Sequence, residues 1–298
     1  MSALYLPVSL PPFLLAPLTD RYKLEQVPSA AVRGMVVPGG FTVSENLLSS
    51  LPNLEIVSVF GVGYDGVPIT LCQQRGIRVS NTPDVLTEDV ADIATSLVLM
   101  TSRRLVEAEK FVRAGSWVSG AFPLAHALRG KTAGIVGLGR IGKAIAHRLT
   151  AHGLKIAYFG RNPQAVSYDY CDSIDTLARR ADFLIVACPG GRGTRHLINA
   201  EVLSALGPEG TLINIARGSV VDEAALIVAL NTGLIRGAGL DVFENEPHVP
   251  AQLMHSEKVV ILPHVGSATL ETRQAMAQLV RDNLEAHFSN RPLVTPVC

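Results

Sequence analysis

Three well-separated side chains have the types that carbonyl chemistry on a small acid requires. Arg217 follows the run Asn214-Ile215-Ala216, Glu246 lies in Asp241-Val242-Phe243-Glu244-Asn245-Glu246-Pro247, and His264 follows Leu262-Pro263. An arginine offers a rigid cationic fork for a carboxylate and can polarise the adjoining carbonyl. An imidazole exchanges a proton near neutral pH, and a carboxylate on its second nitrogen fixes the tautomer and favours the charged ring. The guanidinium opposes that charge, which gives the glutamate its task. Singly, each is an ordinary loop residue. Together they supply two of the three needs of 2-oxo acid reduction: a cation for the acid group and a proton for the carbonyl oxygen. The third need is a hydride donor held over the carbonyl carbon.

A place for such a donor is written upstream. Gly137-Leu138-Gly139-Arg140-Ile141-Gly142 follows an apolar run and opens an amphipathic one. The first glycine permits the tight turn, the second lets backbone approach a pyrophosphate, and the third allows close helix–strand packing. The phosphates would meet the backbone N–H groups and the positive end of the helix dipole. About 20 residues further on, an NAD-preferring site usually has an acidic residue for the ribose 2′-hydroxyl. Here the chain reads Gly160-Arg161-Asn162. No carboxylate repels a 2′-phosphate, and Arg161 can pair with one. NADP(H) is therefore the preferred cofactor, with NAD(H) as the alternative.

The elements that must position these groups are legible as alternation. Short apolar runs bounded by Gly, Pro or Asn alternate with amphipathic stretches, the pattern of strand–helix–strand units around a parallel sheet. In the first part, residues 34–37, 54–60 and 77–80 read as strands. Thr42 and Glu45 suggest a capping box, and Pro68 and Gly76 bracket a second helix. Residues 88–112 are helical in pattern. In the second part, strands are expected at 132–136, 155–159, 182–188, 211–216, 236–242 and 259–262. Helices are expected at 140–152, 173–180, 199–206, 222–231 and 270–287. Arg217, Glu246 and His264 then follow the carboxyl ends of parallel strands, the edge where doubly wound sheets bind ligands. The fold class is α/β, with two doubly wound, Rossmann-like parallel-sheet domains.

Composition narrows the function classes. The 298 residues are 48% hydrophobic and 5% aromatic, which suits an α/β protein rich in aliphatic residues. Basic and acidic residues number 26 each, so no net field recruits nucleic acid or a membrane surface. Cys72, Cys171, Cys188 and Cys298 have no short paired spacing, so neither a metal site nor a disulfide framework is expected. The apolar stretch 3–18 is broken by Pro7, Pro11, Pro12 and Pro17, and reads as a first strand followed by a turn rather than a membrane span. A cytoplasmic protein is the expectation.

The ordered set of motifs resembles the D-isomer-specific 2-hydroxyacid dehydrogenase family over residues 50–285. It is carried by 137–142, 214–218, 240–247 and 263–269, with Asn81-Thr82-Pro83 and Glu88-Asp89-Val90-Ala91-Asp92. The motifs are most similar to those of the NADPH-dependent glyoxylate/hydroxypyruvate and hydroxyphenylpyruvate reductases. The resemblance implies that Arg217, Glu246 and His264 are catalytic. It places Asp241 at the nicotinamide carboxamide and extends the cofactor contacts to Cys188, Pro189, Thr194, Ala216 and Gly266. It assigns the N–H groups of Val62 and Gly63, in Gly61-Val62-Gly63, to the substrate carboxylate. A glycine-rich turn after a strand can form such an anion nest. It further implies a homodimer, with Phe122 reaching the partner's active site, and a discontinuous substrate domain. That domain would comprise 1–97 and 286–298, around a dinucleotide domain of 98–285. No regulatory extension or feedback by amino acids is expected. A dinucleotide-sensing corepressor shares the fold and is the non-enzymatic alternative. Among enzymes, an aryl-pyruvate reductase stays open, because neither spacing nor composition of Tyr64 and Leu86 selects the side-chain pocket.

Overall fold

The computed structural model describes residues 1–298. The chain divides into two compact units, Met1–Leu86 with Ser267–Cys298, and Thr87–Gly266.

The first unit is built on a parallel five-stranded sheet. Its elements are β1 (Ala3–Tyr5), α1 (Pro12–Thr19), β2 (Lys23–Glu25), β3 (Val32–Pro38), α2 (Glu45–Ser49), β4 (Ile56–Phe60), α3 (Ile69–Gln74) and β5 (Arg78–Ser80). The strand order is β2-β1-β3-β4-β5. Its core includes Met35, Val37, Val57, Val59 and Val79, on the runs read from sequence. Two local expectations change. Where a turn was expected after β1, α1 forms, with Pro12 in its first turn, where the missing N–H costs nothing, and Leu14 and Leu18 buried. The helix after residue 42 is capped by Ser44 rather than Thr42; the Ser44 hydroxyl accepts from the Leu47 N–H at 3.1 Å.

The second unit opens with α4 (Thr87–Arg103) and α5 (Leu105–Arg113), followed by a 3-10 turn at Ser116–Ser119. The stretch 88–112, helical in pattern, forms these two helices, which part at Arg104, whose φ of 53° lies in the left-handed region. Then come β6 (Thr132–Val136), α6 (Arg140–Ala151), β7 (Lys155–Phe159), β8 (Asp169–Cys171), α7 (Ile174–Arg180) and β9 (Phe183–Val186). They are followed by α8 (Ala200–Leu206), β10 (Thr211–Asn214), α9 (Glu223–Thr232), β11 (Gly237–Leu240), α10 (Ala251–Met254) and β12 (Val259–Ile261). All seven strands pair in parallel in the order β12-β11-β10-β9-β6-β7-β8. The order in which successive strands are added reverses between β6 and β9, so the loop after β6 opens at a topological switch point.

The division differs from the expected breaks at 97/98 and 285/286. α4 packs on α6, β10 and β11, with Glu88 and Asp92 paired to Arg148 of α6 at 2.8 and 2.6 Å. A helix buries its apolar stripe as one block, so α4 goes whole into the second unit. By the same reasoning α11 (Leu270–Phe288), packed on α1 and β4, goes whole into the first. No helix is long and apolar enough to cross a membrane.

Candidate active site

Three neighbouring strands, β10, β11 and β12, release the segments bearing Arg217, Glu246 and His264 at one sheet edge. Asn214 organises the first segment. Its Oδ1 accepts from the Ala216 N–H at 3.1 Å and its Nδ2 donates to the Arg217 carbonyl at 3.0 Å. The Arg217 guanidinium donates to the Ala216 carbonyl at 2.8 Å. Gly218 lies flat on the next segment: a Cβ there would stand 1.8 Å from the Phe243 carbonyl carbon and 2.2 Å from the Glu244 nitrogen. Only glycine permits that approach.

Both carboxylate oxygens of Glu246 are engaged. Oε1 accepts from the Phe243 N–H at 3.0 Å, and Oε2 pairs with His264 Nδ1 at 2.7 Å. Burial works to raise the Glu246 carboxyl, but the His264 hydrogen bond, the Phe243 N–H and the charges of His264 and Arg217 outweigh it. The group is held below its ordinary range. An ionised carboxylate only accepts, so Nδ1 of His264 carries hydrogen and Nε2 is the nitrogen left for proton exchange.

Asp241 builds the turn that presents the imidazole. It is 1% exposed, and its two oxygens accept from the N–H groups of Val265 and Gly266 at 2.7 and 2.8 Å, while its carbonyl accepts from the His264 N–H at 2.9 Å. These three bonds hold His264 at a φ of 53°, a conformation uncommon for a residue with a Cβ. Burial raises the Asp241 carboxyl, and the two N–H donors oppose it. A Cβ on Gly266 would lie 3.0 Å from Asp241 Oδ2, so the glycine belongs to the same clamp.

The loop after β6 has the geometry a dinucleotide needs. Gly137 has a φ of 96°, and a Cβ there would meet the Cys188 backbone at 2.8 Å. A Cβ on Gly142 would meet the Gly137 carbonyl at 2.2 Å. By contrast, nothing lies within 4 Å of a Cβ at Gly139 or Gly160, so the space over the start of α6 and the end of β7 is open. Closed packing at two glycines and open space at the others fit a pyrophosphate and ribose. Arg140 and Ile141 form the first turn of α6, and Arg161 and Asn162 are exposed just beyond β7. Cys188 follows β9, its thiol pushed up to about 11 by burial and so neutral. Thr194 turns its hydroxyl onto the Pro189 carbonyl at 2.7 Å, and Ala216 is 8% exposed.

The Gly61–Gly63 turn belongs to the first unit. A Cβ on Gly61 would stand 3.0 Å from Gly39 Cα, the Gly61 carbonyl accepts from the Thr82 N–H at 2.9 Å, and the Val62 carbonyl accepts from Asn81 Nδ2 at 2.8 Å.

Several supporting residues escaped the sequence reading. Glu223 accepts from the Glu244 N–H at 2.7 Å, and Glu244 in turn pairs with His196 Nε2 at 3.0 Å and Arg195 at 2.8 Å, tethering the loop that carries Glu246. Gln164 donates to the Leu138 carbonyl at 2.9 Å and links the phosphate turn to the loop after β7. Asn214, three residues before the arginine in a quoted motif, was the one with a visible signal.

With this geometry in place, comparison with known proteins gives a consistent result. Residues 95–266 match the family model described as D-isomer specific 2-hydroxyacid dehydrogenase, NAD binding domain. The chain is 52% identical over 268 residues to a glyoxylate/hydroxypyruvate reductase A of Arabidopsis thaliana, covering 90% of this chain and 86% of that protein. It has the same identity, length of match and coverage with a hydroxyphenylpyruvate reductase of Plectranthus scutellarioides. An NADPH-dependent glyoxylate/hydroxypyruvate reductase of Sinorhizobium meliloti, crystallised with NADP and malonate, superposes with a TM-score of 0.94 at 48% identity, over 99% of this chain and 96% of that one. The chain therefore belongs to the D-isomer-specific 2-hydroxyacid dehydrogenase family of oxidoreductases.

Proposed function

We propose that the protein reduces a small 2-oxo acid, such as glyoxylate or hydroxypyruvate, to the 2-hydroxy acid with NADPH. The observation that carries this reading is the Glu246–His264 pair at 2.7 Å beside the Arg217 charge. When bound, the reduced nicotinamide supplies the hydride to C2 of the oxo acid. Arg217 pairs with the substrate carboxylate and draws electron density toward the carbonyl oxygen. As negative charge develops on the carbonyl oxygen, His264 Nε2 would give it the proton and be left as a neutral imidazole. Glu246 stabilises the charged imidazolium before that transfer and keeps Nδ1 protonated after it.

The Val62 and Gly63 N–H groups are assigned to the substrate carboxylate. The 137–142 turn is assigned to the pyrophosphate and Arg161 to the 2′-phosphate. Cys188, Pro189, Thr194, Ala216, Asp241 and Gly266 complete the cofactor contacts. Equal identity to a hydroxyphenylpyruvate reductase supports an aryl-pyruvate substrate as the second reading.

We further infer a cytoplasmic homodimer. α5 buries no residue, and Leu105, Val112, Trp117, Val118 and Leu124 are exposed, an apolar surface suited to a second copy. Phe122 sits edge-on to Phe111 at 5.4 Å and beneath the Arg104 guanidinium at 5.2 Å. Light scattering at micromolar concentration reads the oligomeric state.

The functional test is turnover of glyoxylate, hydroxypyruvate, pyruvate and hydroxyphenylpyruvate with NADPH and NADH. Reduction of at least one acid with NADPH favoured is the expected result. Tight cofactor binding with no turnover across the set would support a sensor instead.

A further inference from the structure

The Gly61–Val62 and Val62–Gly63 peptides carry the two N–H groups assigned to the substrate carboxylate. In a trans peptide the C=O and N–H point to opposite sides, so whatever holds the oxygen also aims the hydrogen. The Gly61 carbonyl is held by the Thr82 backbone N–H at 2.9 Å, and the Val62 carbonyl by the Asn81 side chain at 2.8 Å. The aim of the Gly63 N–H thus depends on a side chain.

Asn81, 8% exposed, is itself clamped from the far end of the chain. Its carbonyl accepts from the Thr295 hydroxyl at 2.6 Å, and its N–H donates to the Thr295 carbonyl at 3.4 Å. Thr295 is fixed by the fully buried Asn283 of α11. Asn283 Oδ1 accepts from the Thr295 N–H at 3.0 Å, and Nδ2 donates to Thr295 Oγ1 at 2.8 Å and to the Leu279 carbonyl at 2.7 Å. The Thr295 hydroxyl is both acceptor and donor, a double role that valine cannot take. Beyond it, the N–H of Val297 donates to the Val79 carbonyl at 2.8 Å, the Cys298 carbonyl accepts from the Val79 N–H at 3.1 Å, and Ser80 and Pro296 form an antiparallel bridge.

We propose that Asn81, clamped by Thr295 and Asn283, is a positioning residue that turns the Gly63 N–H toward the substrate carboxylate, which makes the C-terminal tail a determinant of acid affinity. This rests on the reading of 61–63 as the carboxylate-binding turn. Asn81→Ala removes the hold on the Val62 carbonyl, and Thr295→Val removes the clamp on Asn81.

The experiment measures steady-state kinetics with glyoxylate and NADPH, and binding of malonate, which cannot be reduced, by calorimetry. One charge-assisted hydrogen bond is at stake, so Asn81→Ala is expected to raise both the glyoxylate KM and the malonate Kd about tenfold. Thr295→Val raises both about threefold, and Thr295→Ser restores them. In all variants kcat stays within about threefold and the NADPH KM is unchanged, a split that general loosening of the fold would not give. Unchanged acid affinity in Asn81→Ala and Thr295→Val, or an equal rise in the NADPH KM, overturns the inference. Because malonate is not turned over, weaker malonate binding in the variants supports the positioning role even if no 2-oxo acid is reduced. Turnover with unaltered acid affinity sinks the positioning role alone.

Discussion

Gly218→Ala puts the arrangement of Arg217 against Glu246 under direct strain. The added Cβ would lie 1.8 Å from the Phe243 carbonyl carbon, 2.1 Å from its oxygen and 2.2 Å from the Glu244 nitrogen. Contacts between such atoms are comfortable near 3.5 Å, so the two segments must part by roughly 1.5 Å. Backbone opposes backbone here, and no side-chain rotation relieves the clash. A 1 Å misplacement of reacting groups costs about a hundredfold in rate, or about 2.7 kcal/mol of barrier. Overpacking costs a further ~1–3 kcal/mol of stability, which for a unit of this size lowers Tm by about 3–10 °C. The assay is kcat/KM for the 2-oxo acid beside the NADPH Kd and a thermal melt. A fall in kcat/KM of about a hundredfold or more with NADPH still bound is expected, since the 137–142 turn lies on different strands. Activity within threefold of the parent would refute the claim that these two segments must stay in contact.

Other perturbations address separate parts of the site. Arg161→Ala should raise the NADPH KM about tenfold and the NADH KM less than threefold; equal changes would remove Arg161 from the 2′-phosphate site. Asp241→Asn turns an NH2 group toward one of two N–H donors 2.7 and 2.8 Å away. The buried mismatch should cost about 1–3 kcal/mol, seen as a lower Tm, and lower kcat at least tenfold by freeing the His264 turn. The Glu246 carboxyl is held low in the folded chain, so its contribution to stability is present above the unfolded glutamate pKa of about 4.3 and is lost as pH falls through the folded value. Both partners are about a third exposed or more, so the effect is below about 1 kcal/mol. Urea midpoints of the parent and Glu246→Gln should differ at pH 6, and the gap should narrow as pH falls below the unfolded glutamate value of about 4.3; a constant gap would contradict the assignment.

What the sequence made legible was local. The 137–142 turn is a strand–turn–helix signal within a few residues: Gly137 has the positive φ, and Gly137 and Gly142 the close approaches, that the spacing requires. The strands at 132–136 and 155–159 match to the residue, because buried parallel strands are continuous apolar runs between breakers. Arg217, Glu246 and His264 drew attention because each lies in a segment that follows such a run. β2 and β8, at three residues each, are too short to show a period. α1 was read as a turn because its prolines outweighed Leu14 and Leu18, although Pro12 sits where a helix tolerates it. The break at Arg104 left no mark, since nothing in Arg103-Arg104-Leu105 forbids a helix. The clamp from Asn283 through Thr295 to Asn81 joins residues 214 positions apart, and no periodicity reports such a pairing.

The central claim is that His264 hands a proton to a 2-oxo acid whose carboxylate is bound by Arg217. The most direct measurement compares single-turnover NADPH oxidation by glyoxylate or hydroxypyruvate in the parent, His264→Gln and Arg217→Gln, at saturating cofactor. A loss of about a thousandfold in the hydride-transfer rate of His264→Gln is expected, with a higher acid KM and a lower rate in Arg217→Gln. A His264→Gln rate within tenfold of the parent would contradict the account.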